Sequence, residues 1–468
     1  MCTSVIVGAN ATTHKQNIIS RNEDCERDIW NKYFVYRHQP EYANDKVITN
    51  GLWQLGNGLK VPKPTQAFSY SASPDFEANN EASALMPAKF LYEERGINEK
   101  NVAISATNTL AMNDKAAQAD PLLKQGGITE AVIPTLILPQ AESARHGIQL
   151  LGQYIEQYGS AEVNGVTIAD VNEIWYFENG SCHHWIAVKV PEDSYLVVAN
   201  AMRIHDIDLN SPEVLHSSGL YEFVCQHQLL PDADKHNFNF AKAFGVTGQA
   251  YNVDRIWLAQ LKLTPSLAQP TRQQQYPLFL KPDALVSVPD VIGVLTATYE
   301  GTELEGKANR PIGYDKTAES HIITLDKQQC HELQGVIWQA VSTPLCAMYL
   351  PFFAAVKSFP ASYHSGTNNF DAHGAYWAYR TLFTLAYAHQ KHALSFIGSE
   401  IRAQEIALYD ELHNLMPSLA DMMANSTQQT MSFLNRYALG NCDLMLQFAH
   451  QRRNQLMNEL AAIAPPTE

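Results

Sequence analysis

The chain opens Met1-Cys2-Thr3-Ser4, with a cysteine directly behind the initiator methionine. Methionine is normally removed ahead of a small second residue, which would leave Cys2 first and give it both a thiol and a free α-amine. In ordinary peptides such an amine titrates near about 8 and a thiol near about 8.5. A general base serves best when its pKa lies close to the working pH. The amine can therefore take the part that histidine plays in a Cys-His pair. The plainer reading is a small residue that begins a strand, and position alone favours that one.

Arg21 and Asp24 change the balance. Thr3 to Val7 reads as a strand, the turn-rich "GANATTHKQN" follows, and Ile18 to Asp24 reads as the return strand. With the loop centred near Thr13, antiparallel pairing sets Asp24 roughly opposite Cys2 and Arg21 roughly opposite Val5. A cation favours a neighbouring thiolate, and a carboxylate can orient an ammonium. Strict alternation points Arg21 and Asp24 to opposite faces, so one shared site requires a bulge or a strand end. An ordinary surface ion pair, worth at most about 1 kcal/mol, is the competing account.

Asn200 and Asn108 each fall near the end of a predicted strand. Acyl transfer needs N–H groups aimed at a developing oxyanion, and both are candidates for that donor, although asparagine there is also a common turn former. Arg255, in "YNVDRIWLAQ", could supply a cation or hold a substrate carboxylate in its fork. A helix-surface arginine is the alternative. Metal chemistry finds less support. His183-His184 are adjacent and point apart on a strand, His389 and His392 have helical spacing without an HExxH motif, and "CHEL" lacks a second histidine. No metal is expected, and with neither a P-loop nor a dinucleotide fingerprint, no cofactor.

These residues need a scaffold. Residues 81–95 read as a helix ended by Gly96, followed by a turn and a strand reaching Asn108. Ser143 reads as the N-cap of a helix running to Gly159. In "IWYFENGSCHHWIAVKVPEDSYLVVANAMRI", Asn179-Gly180 and "PED" read as two turns of a three-strand meander that delivers Asn200 to a sheet rim. Beyond residue 328, from "CHELQGVIWQAVS" on, the pattern reads as helices broken at Pro417 and around Gly440. The expectation is an α+β catalytic domain over 2–327 with a helical region, 328–468, packed on it.

The whole-chain balance is that of a globular protein, with 46% hydrophobic and 17% charged residues among 468. A formal charge of −15 with no basic run argues against nucleic acid. The N-terminus lacks a signal-peptide pattern and no apolar run approaches a membrane span, so a cytoplasmic protein with no membrane partner is expected. Seven scattered cysteines, never as CxxC, indicate neither a disulfide framework nor a zinc ribbon. Homo-oligomers are common, and the sequence leaves self-association open.

Taken in order, "MCTSVIVG", "IISRNED", "GINEKNVAISATNT", "EIWYFENGSCHHWIAVKVPEDSYLVVANAMRI", "YNVDRIWLAQ", "RPIGYDKTAESHIITL" and "GVIWQAVSTPLCAMYLPFFAAV" resemble the cysteine dipeptidases of the dipeptidase A type, among the N-terminal-nucleophile hydrolases. Bile-salt hydrolases and penicillin V acylases are more distant likenesses. The resemblance implies a four-layer αββα fold, Cys2 as nucleophile after loss of Met1, and metal-free hydrolysis of small peptides through an acyl-enzyme. It places the flanking charged pair on Arg21 and Asp24, an oxyanion asparagine on Asn200, a second site position on Asn108 and an arginine on Arg255. Cys182 departs from the pattern, which usually has glycine before the two histidines. An amidase or acylase acting on another small amide would share these residues. A noncatalytic regulatory protein, like the animal secernins, is the rival of a different class.

Overall fold

The computed structural model describes residues 2–24, 32–38, 48–49, 51–54, 58–64, 67–74, 93–364, 369–389 and 391–462. Two antiparallel sheets face one another. The first runs Tyr195–Val198, Cys2–Val7, Asn17–Asp24, Thr317–Leu325, Gly335–Val341, Leu350–Phe353 in spatial order. The second has eight strands, with Ile174–Asn179, Asn164–Ala169, Ala103–Thr109 and Glu93–Asn98 at its centre. A separate three-stranded sheet spans Ile48–Thr49, Leu52–Gln54 and Lys60–Pro62.

Side-chain alternation sorts each strand between layers. Ile6, paired with Ile19, points between the sheets with Ile323, Ile337, Leu196 and Ala103. Val5, Val7 and Ile18 point the other way, into the core that the sheet shares with the helices Ala250–Leu263 and Val288–Leu295; the C-terminal helices cover the same face further along, at Gly335–Val341 and Leu350–Phe353. The outer face of the second sheet is covered by Ile133–Ile137 and Ala144–Tyr158, whose residues Ile137, Ile148 and Leu151 pack on Ile104, Ile168 and Trp175. Helix, sheet, sheet, helix is thus the layer order, an α+β architecture of the αββα kind. The Ser143 side chain caps the second of these helices by accepting from the His146 N–H, as its sequence suggests.

Several elements depart from expectation. The helix expected over 81–95 lies outside the described residues up to 92, and from Glu93 the chain is strand. "GVIWQAV" is a strand, Gly335–Val341, preceded by a single 3-10 turn, so the first sheet extends to Phe353. Both its faces are buried, with Val336 and Trp338 under the helices and Ile337 between the sheets. Burial on both faces removes the period-2 signature, and the run reads equally well as a helix. Pro417 sits inside the helix Lys391–Asn425, and the next helix, Thr427–Ala462, passes through Gly440. Neither breaks the pattern.

The meander also divides. Ile174–Asn179 and Trp185–Lys189 pair in the second sheet, but Tyr195–Val198 crosses to the first and pairs with Cys2–Val7. Asn179 pairs with Trp185, so five residues, Gly180 to His184, form the connection in place of a two-residue turn. The "PED" crossing is pinned to the N-terminal hairpin by Gly8 N–H to Ser194 O at 2.9 Å and Asn10 N–H to Glu192 O at 2.7 Å. A Cβ at Gly8 would come within 2.3 Å of Pro191 O, so the approach requires glycine.

Among the described residues no helix is long and apolar enough to cross a membrane. The C-terminal helices dock through Glu405, which accepts from the Tyr349 N–H at 2.8 Å and pairs with Arg402. Burial outweighs both partners and pushes the Glu405 carboxyl up to about 7. A carboxyl raised on folding binds its proton more tightly in the native state, so stability is greatest below the ordinary carboxylate range and falls as pH rises towards 7. In Glu405→Gln that share of the pH slope should disappear, flattening the denaturation free energy between pH 4.5 and 7 by on the order of 1–3 kcal/mol. An unchanged slope would contradict the assignment.

Candidate active site

The hairpin register pairs Cys2 with Glu23 and Ser4 with Arg21, one residue away from the expected pairing of Cys2 with Asp24 and Val5 with Arg21. Opposite residues in an antiparallel pair share a face. Cys2, Ser4, Arg21 and Glu23 therefore point between the sheets, and Thr3, Asn22 and Asp24 point to the helix side. Cys2 is 2% exposed.

The backbone of Cys2 is gripped from two sides. Its nitrogen donates to Asn200 Oδ1 at 3.0 Å, and its carbonyl accepts from Arg255 Nη1 at 2.6 Å. Asn200 reaches this point because it follows the crossing strand Tyr195–Val198, which lies directly beside Cys2–Val7. Arg255 reaches it from the helix Ala250–Leu263. The guanidinium also donates to Thr3 Oγ1, Asn200 Oδ1 and Asn252 Oδ1, each at 2.9 Å, and through Nε to Tyr251 O at 3.0 Å. Burial and the nearby Arg310 cation pull its pKa down to about 10. Asn252 ties Asn200 further, accepting from its N–H at 3.2 Å and donating to its carbonyl at 3.1 Å.

Arg21 lies on the same face as Cys2. It donates to Glu94 O at 3.0 Å and pairs with the Glu94 carboxylate, while Glu130 Oε1 stands 3.8 Å away. Burial pulls this guanidinium down, but Cys2, Glu94, Glu23 and Glu130 together hold it well above its ordinary value. Its Nε is buried with no hydrogen-bond partner among the described residues. Below it, across the strand pair Arg21–His321, a buried polar layer continues. Ser105 Oγ lies 2.8 Å from His321 Nε2, His321 Nδ1 lies 2.9 Å from Glu319, and Gln339 links Glu319 to Arg95. Although burial opposes it, His321, Arg21 and Arg95 hold Glu319 below the usual carboxylate range.

Asp24 occupies the opposite face. Its carboxylate accepts from Arg310 and from Thr317 Oγ1, next to a register shift between Thr317 and Glu319. Burial lowers the Arg310 guanidinium, but Asp24 and Tyr251 outweigh that and raise it. The alternation that separates Arg21 from Asp24 thus persists to the strand end. Asn108 pairs with Gly165 where the ladder passes over Thr107, and its side chain lies outside the described residues. Its neighbour Thr109 joins the site by accepting from Asn200 Nδ2 at 3.0 Å through its carbonyl. Sequence reasoning missed Asn252, although its place three residues before Arg255 on one helix face was a usable signal. Glu94 and Glu130 come from separate segments and offered none, whereas Arg310 and Thr317 share "RPIGYDKTAESHIITL", a segment that carries the resemblance without giving either residue a role. Elsewhere, Asp120, Cys182 and His183 bring one ligand atom each within 4.8 Å of one another, with His183 Nδ1 on Asp120 at 2.9 Å.

A profile of peptidase family C69 matches residues 1–401. A probable dipeptidase of Latilactobacillus sakei is 32% identical over 470 residues, covering 95% of this chain and 94% of that protein. A probable dipeptidase A of Streptococcus pyogenes serotype M3 is 30% identical over 407 residues, covering 84% of each. The solved N-acylethanolamine-hydrolyzing acid amidase ortholog of Caenorhabditis elegans is 12% identical at a TM-score of 0.33, covering 69% of this chain and 92% of that one.

Arg255 has five N–H donors and uses all of them. Lysine at 255 offers three donors from one nitrogen and cannot span these acceptors. Arg255→Lys should lose on the order of 2–4 kcal/mol in denaturant unfolding, from buried acceptors left unpaired. A loss below about 0.5 kcal/mol, the size of an ordinary surface change, would contradict the clamp.

Proposed function

Because the chain belongs to peptidase family C69, we propose that it is a dipeptidase whose nucleophile is Cys2, freed by removal of Met1 and working through an acyl-enzyme. The observation that carries this reading is the double grip on the Cys2 backbone by Asn200 and Arg255, on the residue that loss of Met1 would leave first. A strand start held this firmly keeps amine and thiol in one geometry, which is what positional catalysis requires.

The α-amine takes the thiol proton, and the thiolate attacks the scissile carbonyl. Asn200 Oδ1 accepts from the ammonium and fixes its direction. The Asn200 amide has two hydrogens and gives one to Thr109 O, so the second can meet the oxyanion. Arg21 supplies the cation beside the sulfur. The ammonium then protonates the departing amine, and the amine draws a proton from water as it hydrolyses the thioester. Asp24 holds Arg310 on the helix side of the strand end and so acts as a positioning residue.

The test is a dipeptide panel with a chelator present throughout. Wild type should cleave, and Cys2→Ala should fall by about a thousandfold or more. Inserting one alanine between Met1 and Cys2 leaves the thiol in place but removes its amine, and should be as damaging. Full turnover by the insertion variant would contradict the amine's role as base, and full turnover by Cys2→Ala would contradict the nucleophile.

A further inference from the structure

Away from Cys2, a cavity of about 500 Å³ opens between residues 296–311 and the start of the helix Lys391–Asn425. That volume lies in the range of small-molecule sites, roughly 300–1,000 Å³. Its wall is tied in place. Asn22, on the return strand, donates to Leu295 O at 2.9 Å and to Ile312 O at 3.0 Å, beside the lining residues Thr296 and Pro311. Tyr299, also in the wall, donates its hydroxyl to Arg310 O at 2.9 Å. Cys2, Asn200 and Arg255 are not among the described residues that line it.

The cavity carries charge of both signs. Arg402, in its lining, donates through Nη2 to Glu405 Oε1 at 3.0 Å and to the Pro344 and Ala347 carbonyls at 3.3 and 3.4 Å, while Nε lies 2.8 Å from Glu405 Oε2. Its Nη1 is buried with no hydrogen-bond partner among the described residues. A buried donor left unmet is costly, so an acceptor brought to it is held well. Ser399 lies three residues before Arg402, the spacing of neighbours on one helix face, about 5–6 Å apart at Cβ. Its hydroxyl hydrogen goes to Ser395 O at 2.9 Å, which leaves the oxygen as an acceptor. Glu300 and Glu305 line the same cavity and are exposed, and Leu345 and Leu394 add apolar surface.

We propose that this cavity is a second binding site, for a free amino acid with an apolar side chain. The carboxylate accepts from Arg402 Nη1, the ammonium meets Ser399 Oγ and the two exposed glutamates, and the side chain lies against Leu345 and Leu394. A simple anion entering here is repelled by Glu300 and Glu305, and a simple cation is repelled by the guanidinium. A zwitterion satisfies both signs. One α-carbon carries the ammonium and the carboxylate together, so a single small molecule can reach the neighbouring Ser399 and Arg402. Dipeptide hydrolysis releases molecules of this class, so the supply of the ligand, though not its fit, rests on the dipeptidase reading above.

The experiment titrates the whole protein calorimetrically with L-leucine, beside leucinamide, which lacks the carboxylate, and 4-methylpentanoate, which lacks the ammonium. Wild type should bind leucine saturably and each analogue at least roughly tenfold more weakly. A side chain at 398 enters the cavity, where its Cβ has Leu345 O as nearest neighbour at 3.4 Å, and leucine is a better helix former than glycine. Gly398→Leu should therefore fill the space and weaken leucine binding by a similar factor, with melting temperature and dipeptide turnover at the wild-type level. That separates the cavity from product binding beside Cys2. Ser399→Val, at an exposed position of the same helix, should weaken binding in the same direction and carries the test if Gly398→Leu does not fold. No saturable binding by wild type, undiminished binding by a folded variant, or equal binding of the three ligands would overturn the site. A protein that binds leucine in this pattern yet cleaves no dipeptide fails the dipeptidase reading and leaves the site standing.

Discussion

One buried guanidinium holds the beginning of the N-terminal strand. Chain ends fray unless they are tied down, and a reagent on the first residue of a strand is useless if that residue moves. Arg255 removes the freedom by donating to the Cys2 carbonyl, the Thr3 hydroxyl and the Asn200 amide oxygen at once. Asn252 and the Tyr251 carbonyl take its remaining bonds, so the fork is complete and the helix Ala250–Leu263 is locked to the sheet by the contact that orders the site. The geometry around Cys2 and the tertiary packing are here one set of hydrogen bonds.

The space between the sheets has two characters. Around Ile6, Ile19, Ile323 and Ile337 it is an apolar core. Towards Cys2 it becomes a buried polar layer, with the charged Arg21, Glu94, Arg95 and Glu319 and the His321 ring all within 1% exposure. Buried charges are costly unless paired and hydrogen-bonded, and removing one partner costs more than the pair contributes. The alternation of oppositely charged groups supplies the pairing, although Arg21 Nε, Glu94 Oε1 and Arg95 Nη1 have no hydrogen-bond partner among the described residues, and it keeps a positive charge on the face that carries the thiol. The outer face answers with Asp24, Arg310 and Thr317. Cys2 lies at the seam of these two polar clusters.

The residue types around Cys2 are visible in the sequence because each carries distinct chemistry: a second-position cysteine, an arginine and an aspartate on the return strand, an asparagine at a strand end. Their arrangement is less visible. The hairpin register is off by one because a loop containing a 3-10 turn at Ala9–Ala11 does not announce its centre. The crossing of Tyr195–Val198 between sheets cannot be read from a pattern that looks like a continuous meander, yet that crossing is what brings Asn200 to Cys2. Strands buried on both faces, such as Gly335–Val341, lose the alternation that identifies them. Glu130 and Arg310 become neighbours of the site only through the fold, so no spacing rule could find them.

The proposed mechanism requires that the mature chain begin at Cys2 and that its thiol carry the acyl group. The most direct measurement is intact-mass and peptide-mapping mass spectrometry of the purified enzyme, acid-quenched during turnover of a dipeptide. The expected result is a chain lacking Met1 and a transient adduct with the mass of the substrate's N-terminal aminoacyl group, mapped to the thiol of Cys2. A fully active chain that retains Met1, or an adduct mapped to any other residue, would contradict it.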